Sequence, residues 1–217
     1  MASAPDKILA LRELLAQRFP QASAPVRGRC VATGIPAIDD VSGGLRIGAV
    51  TEIVSSVPSS GCMLLLARVL AVCRAQCLRV ALIDGGNSFD PQSFTGDELA
   101  HLVWIRCRDL KQVMQVADLV ARDANFGLVV LDVRRQTERE LRREPPTGWY
   151  RLQRAAEQND LPLLIVTPCA IVPSALVRFG LNQSFHLTDL DEPRRSLAED
   201  LTLELHRQRR QIEQEAV

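Results

Sequence analysis

The residues with the clearest chemical potential lie in the stretch "EIVSSVPSSGCMLLL", Glu52 to Leu66. A short apolar run enters it, a Ser/Pro/Gly-rich loop follows, and a helix-like apolar run leaves. That is the layout of a phosphate-binding loop, in which backbone N–H groups and a helix N-terminus surround phosphate oxygens. The usual spacing, G-x-x-x-x-G-K-[ST], adds a lysine that neutralises phosphate charge and a hydroxyl that binds Mg²⁺. Here Ser56 and Gly61 take the glycine places, Ser59 and Ser60 lie between them, and Cys62 and Met63 replace the lysine and the hydroxyl. Cys62 offers no positive charge at neutral pH, and Met63 offers no hard oxygen ligand. The only two lysines, Lys7 and Lys111, are remote from the loop in sequence. The loop therefore reads as a scaffold turn with the layout of a nucleotide loop but without its chemistry.

Two acidic residues close apolar runs elsewhere: Asp84 in "LRVALIDGG" and Asp132 in "FGLVVLDV". Such strand-end carboxylates hold metal ions in nucleotide enzymes, yet they serve equally as hydrogen-bond acceptors or helix caps. After Asp132 comes the most unusual local composition, "RRQTERELRREPPTGWYRLQRAAEQ". Its candidate DNA or partner contacts are Arg134, Arg135, Arg139, Arg142, Arg143, Trp149, Tyr150, Arg151 and Arg154. Arginines with aromatics suit base stacking and phosphate neutralisation, and they also favour protein interfaces. Against both readings, Glu138, Glu140 and Glu144 intersperse the arginines as on a solvated helix face. Trp149 and Tyr150 could likewise simply cover a core. A second basic stretch is the C-terminal "HRQRRQIEQEAV".

Composition bounds the rest. With 217 residues, 47% hydrophobic and 24% charged, the chain suits one domain with a substantial core. Its formal net charge is zero, so neither nucleic acid nor a membrane is implied globally. The six cysteines form no C-x-x-C pair and the three histidines do not cluster with them, which argues against zinc. No metal and no cofactor is expected. The start of the chain lacks the basic and apolar regions of a signal peptide, and no run of apolar residues reaches the length of a membrane span. A reduced, cytoplasmic protein is the expectation.

The elements that must position these residues alternate. Residues 6–18 place Ile8, Leu11, Leu14 and Leu15 on one helical face, and residues 19–29 read as a linker containing Pro20, Pro25 and Gly28. From residue 30 to 217 a single core domain is expected. Strands are predicted in "AVTEIVS", "LRVALIDGG", "HLVWIRC", "FGLVVLDV" and "LPLLIVTPC", and helices in "CMLLLARVLAVCRAQ", "LKQVMQVADLVARDA" and "GWYRLQRAAEQND". Continuous apolar strands separated by helices predict an α/β fold, mainly parallel and covered on both faces. "QSFHLTDL" and "EDLTLELHRQRR", on either side of "DEPRR", predict an antiparallel hairpin that extends the sheet.

Four collinear segments resemble the RecA family: "VATGIPAIDDVSGGLRIGAVTEI", "PSSGCMLL", "ALIDGGNSFDP" and "HLVWIRCRDLKQVMQVADLVARDANFGLVVLDV". The resemblance spans residues 30–210 and implies a RecA-like core with an N-terminal helix. It also implies what is missing. Gly86 stands where the family places its water-activating glutamate, two residues after Asp84, and Pro168–Cys169 stand where it carries a γ-phosphate-sensing Asn-Gln pair. Lysine, hydroxyl, base and sensor are absent together, so the resemblance implies a pseudo-ATPase with no catalytic residue. In character the chain is closest to the ImuA/SulA-like proteins. That likeness implies a non-catalytic accessory of the DNA-damage (SOS) response. In the ImuA-type role it would support translesion synthesis and mutagenesis by contacting translesion polymerase components, with RecA as a further candidate partner. Alternatives are a recombination mediator resembling the Rad51 paralogs that binds single-stranded DNA, a SulA-type cell-division inhibitor, and a weak ATPase with an unconventional site.

Overall fold

The computed structural model describes residues 30–208. The expected helix at 6–18, its linker, and Arg209 and Arg210 of the C-terminal basic stretch lie outside the described residues. Among the described residues, nine strands fall into two sheets. β1 (Cys30–Val31) and β2 (Leu45–Arg46) form a small antiparallel pair. The main sheet holds β3 (Val50–Val54), β4 (Val80–Asp84), β5 (Leu102–Arg106), β6 (Leu128–Asp132), β7 (Leu163–Thr167), β8 (Val177–Gly180) and β9 (Glu204–Gln208). Its order is β5-β4-β6-β7-β3-β8-β9, parallel except for the last pair. The helices are α1 (Pro36–Ser42), α2 (Cys62–Ala75), α3 (Leu110–Ala121), α4 (Glu138–Arg143), α5 (Pro146–Gln158) and α6 (Arg194–Glu199). The fold is thus α/β with a mostly parallel seven-stranded sheet and a C-terminal antiparallel hairpin.

Period-two alternation sorts the strand side chains between two cores. Ile53, Val80, Leu82, Leu128, Val130, Leu164, Val166 and Phe179 join Leu65, Leu66, Val69 and Leu70 of α2. Ala81, Ile83, Val129, Leu131, Leu163 and Ile165 face the other way, onto Val113 and Ala117 of α3 and Trp149 and Leu152 of α5. Because both faces are covered, β3, β4, β6 and β7 are buried at every position, which explains their unbroken apolar sequences. The same alternation puts Asp84 and Asp132 on the α2 side of the sheet and Glu52 on the α5 side.

The C-terminal hairpin differs in its first strand. Residues 183–190 form no strand; a 3-10 turn (Leu187–Asp191) and α6 follow, and β9 pairs instead with β8. In "QSFHLTDL" the alternation does not mark a ladder: Phe185 turns inward beside Gly61, while Leu187 is 85% exposed. β8 is short and sits between Pro173 and Leu181, so only Val177 and Phe179 carry its apolar signal. Other elements escape the sequence pattern too: β1, β2, α1, α6 and the six-residue α4. α1 begins on Pro36, and Asp39 folds back to accept from the N–H groups of Thr33 (2.9 Å) and Gly34 (2.8 Å) and the Thr33 hydroxyl (2.7 Å). That gives the Thr-Gly…Asp segment its role as a closed turn.

Strands β7 and β8 flank β3, and the link between them, residues 168–176, contains no helix. Parallel crossovers ordinarily take about a dozen residues or more, usually with a helix that satisfies its own backbone. Here Glu52 substitutes for the helix. Fully buried, its Oε1 accepts from Thr167 Oγ1 (3.0 Å) and from the N–H of Ile171 (2.9 Å) and Val172 (3.1 Å). Its Oε2 takes the Arg178 Nε at 2.5 Å, and Arg178 Nη2 donates to the Val172 carbonyl at 2.9 Å. Removing one partner of a buried pair costs about 3–5 kcal/mol because the other charge is left uncompensated. Glu52→Gln should therefore lower unfolding free energy in urea by about that amount, and the Glu52→Gln/Arg178→Met double variant by clearly less than the sum of the singles. Additive losses would show that the two side chains do not act as a unit.

Candidate functional site

The loop between β3 and α2 is closed internally. The Ser55 N–H donates to the Thr167 carbonyl at 2.8 Å, and the Ser55 and Ser60 hydroxyls share a 2.6 Å hydrogen bond in the interior. Ser56 and Ser59 are exposed. Ser59 and Gly61 have φ of 56° and 84°, both left-handed, which is costly for serine and natural for glycine. A side chain at Gly61 would be strained by this φ and would displace its neighbours, since an added Cβ would lie 2.5 Å from the Phe185 ring and 2.7 Å from Leu201. Phe185 also donates its N–H to the Ser59 carbonyl at 3.0 Å. The segment after β8 therefore packs against the start of α2. A cleft of about 970 Å³ opens beside it, lined among others by Val57, Pro58, Met63, Arg134, Phe185 and Leu187.

At the lysine position, Cys62 is buried, and desolvation pushes its thiol up to about 12; Arg134 counteracts this and Asp132 adds to it. The nearest cation comes from elsewhere. Arg134, two residues beyond β6, forks onto Asp132 with Nε at 2.9 Å from Oδ1 and Nη2 at 2.6 Å from Oδ2. Its Nη2 also lies 3.6 Å from the Met63 sulfur and 3.5 Å from the Ser88 hydroxyl. Ser88 Oγ donates to Asp132 at 2.7 Å. Burial works against the Arg134 charge, but the hydrogen bonds and charge of Asp132 outweigh it and hold the guanidinium above its ordinary range. Both oxygens of Asp132 are thereby engaged by the chain itself.

Asp84 is engaged too. It accepts from the N–H groups of Gly86 (3.1 Å), Ser88 (3.0 Å) and Phe89 (3.1 Å) and from the Trp104 indole (3.2 Å). Burial would raise its carboxyl, yet these donors prevail and keep it below the usual range. Asp84 thus shapes the turn after β4. At Gly86, a Cβ would meet the Arg135 side chain at 2.5 Å, so that position is covered rather than open. Pro168 lines the cleft, and Cys169 is half-buried with its thiol raised, chiefly by burial. Among the described residues no group of His, Cys, Asp and Glu could hold a metal ion.

The arginine-rich segment divides. Trp149 is 2% exposed and packs in the core under α3, so it is not available as a surface contact. Its indole fills the space between α5 and the sheet, as the aromatic-cover alternative holds. Arg134 is committed to Asp132, Arg142 pairs with Glu138, and Arg151 lies 3.3 Å from Asp118. Glu140 caps α4 reciprocally with Thr137, and Glu144 is half-buried with its carboxyl raised by desolvation. Arg135, Arg139, Arg143, Arg154 and Tyr150 remain exposed. Arg139 and Arg143 share one face of α4 at i, i+4 spacing. Sequence reasoning missed Glu52, whose only signal was a carboxylate inside an apolar strand, and missed that Arg134 belongs to Asp132.

No family model matches the chain, and no curated protein matches it in sequence.

Two outcomes follow from this geometry. Arg134→Ala leaves the buried Asp132 without a counter-charge and should lower stability by about 3–5 kcal/mol, read by chemical denaturation. An unchanged midpoint would mean that the pair is replaced by solvent. In the native protein at mildly alkaline pH, a thiol-alkylating reagent should reach the exposed Cys77 first, while Cys62 and Cys73, both pushed to about 12 by burial, react only on unfolding. Rapid native labelling of Cys62 would contradict the closed loop.

Proposed function

We propose that the chain is a non-catalytic RecA-like accessory protein of the DNA-damage (SOS) response. It supports translesion DNA synthesis in the ImuA-type manner, through contacts with DNA-repair proteins. The observation that carries this reading is the Asp132–Arg134 fork, 2.6 Å at its shortest, beside a loop with Cys62 at the lysine place. Phosphoryl transfer depends on a metal-holding carboxylate, a phosphate-neutralising lysine and a positioned base or water. In this chain the carboxylate is already paired, the lysine is a buried thiol, and the base position is Gly86 under Arg135. The strand order and the acidic strand ends support the RecA-like assignment, and the collinear sequence segments support it independently. A protein-contact role is supported by the exposed apolar residues Val57 (36%) and Leu187 (85%) at the cleft. No described helix is long and apolar enough to cross a membrane; a cytoplasmic location is part of the proposal.

Purified protein should hydrolyse no ATP above background with Mg²⁺, with or without single-stranded DNA. Turnover lost specifically on Asp132→Ala would overturn the pseudo-ATPase reading. Restoring the motif with Cys62→Lys and Met63→Thr should not create turnover, because Gly86 still supplies no base. The positive side of the proposal is tested by co-purification with translesion polymerase components, which Val57→Asp and Leu187→Asp should weaken at least ten-fold, about 1.4 kcal/mol. Undiminished capture would move the contact elsewhere.

A single-strand-binding mediator is the second reading, favoured by the exposed Arg135, Arg139 and Arg143. Glu138 is taken up by Arg142 and Glu140 mainly by the cap, although Glu140 also feels the charge of Arg143. In that case changing all three to Ala weakens binding without regard to sequence and flattens its salt dependence. Salt-independent binding, or none, removes this reading.

A further inference from the structure

We infer that His101 is an acid-sensitive latch holding residues 95–101 against α2. The residue is 7% exposed, and neither ring nitrogen has a hydrogen-bond partner of good geometry among the described residues, the Leu70 backbone of α2 offering the ring only a weak one. An orphaned, buried polar side chain is costly, and it differs from the other buried polar groups here, which are satisfied. Its backbone is fixed: the His101 carbonyl accepts from Val80 N–H at 3.0 Å where β4 and β5 begin to pair. The segment before it is compact. Thr95 and Glu98 bond reciprocally, with the Thr95 N–H 2.7 Å and its hydroxyl 2.9 Å from Glu98 Oε2. Asp97 takes Arg74 of α2 at 2.7 Å on the surface. His101 is the buried anchor beneath that tie.

The charged groups facing the ring are Arg74 from α2 and Asp97 from its own segment, and the ring lies against the backbone of Leu70. A neutral imidazole tolerates this apolar surrounding. An imidazolium carries two N–H donors and a charge into it, beside an arginine whose own counter-ion is already engaged. Desolvation, then Arg74, depress the ring's affinity for a proton; Leu70 and Asp97 oppose them without prevailing. The sign follows: a released ring binds protons more readily than the latched one. The latch is therefore fully closed above the ordinary histidine value of 6.5 and weakens as pH falls below it. Asp97 and Glu98 are held below their ordinary values, by Arg74 and by Thr95 respectively, and stay ionised through this window. His101 is then the group in this segment that responds first to mild acid.

The test is hydrogen–deuterium exchange on the full chain at about pH 7.5 and about pH 5.5, corrected for intrinsic rates. Wild-type protection across residues 95–101 should fall about five-fold at the lower pH, while α3 and α5 are unchanged. His101→Leu should abolish the pH effect, and His101→Gln, neutral and of similar reach, serves if the leucine variant does not fold. Equal losses in wild type and variant overturn the latch. So does a His101 ring that titrates at or above its ordinary value by NMR on the wild-type protein, a readout that needs no variant.

Discussion

Three carboxylates sit on the strands of one sheet where water does not reach them, and each must be answered from within the chain. An ionised group without a partner in such a place costs far more than a domain can absorb. Glu52 is met by Arg178 and two crossover N–H groups, Asp84 by three backbone N–H groups and an indole, and Asp132 by the Arg134 fork and Ser88. The crossover without a helix, the turn after β4 and the start of the arginine-rich segment take their paths from these bonds. Their sides of the sheet differ by simple alternation. Glu52 ties the α5 side together; Asp84 and Asp132 organise the α2 side.

On the α2 side this arrangement gives the loop between β3 and α2 a structural role. A helix N-terminus with a left-handed glycine before it is suited to an anion, since its first N–H groups are unpaired. In this chain Phe185 and Leu201 pack over Gly61, and the nearby Arg134 guanidinium is turned onto Asp132. The local electrostatics are therefore self-contained. What remains open to solvent is a cleft of mixed lining, apolar at Val57 and Leu187 and charged at Asp189, Glu192 and Arg194.

How much of this was legible in the sequence depends on burial. Strands β3, β4, β6 and β7 announce themselves because both their faces are apolar, and the three long helices α2, α3 and α5 follow from continuous or periodic runs. β8 was hidden because two inward residues carry it, and "QSFHLTDL" imitated a strand because Phe185 anchors a turn. The loop after β3 was readable residue by residue, since its spacing is local. The partner of Glu52 was not: Arg178 lies on a strand brought alongside only by the crossover. Arg134 was visible as a basic residue and misread as a contact, because ion pairing within two positions looks the same in sequence as an exposed charge. Trp149 shows the same limit, its amphipathic ring fitting a surface or a core until the packing is known.

The central claim is that Asp132 and the Ser56–Gly61 loop form a closed scaffold whose charge is balanced internally. The most direct measurement is the melting temperature of the wild-type protein titrated with MgATP up to millimolar concentration. A ligand that binds only the native state raises stability by RT ln(1 + [L]/Kd), about 2.7 kcal/mol at a hundred-fold excess over Kd, which such a scan resolves readily. The account predicts no change. A saturable rise that disappears in Asp132→Ala would contradict it.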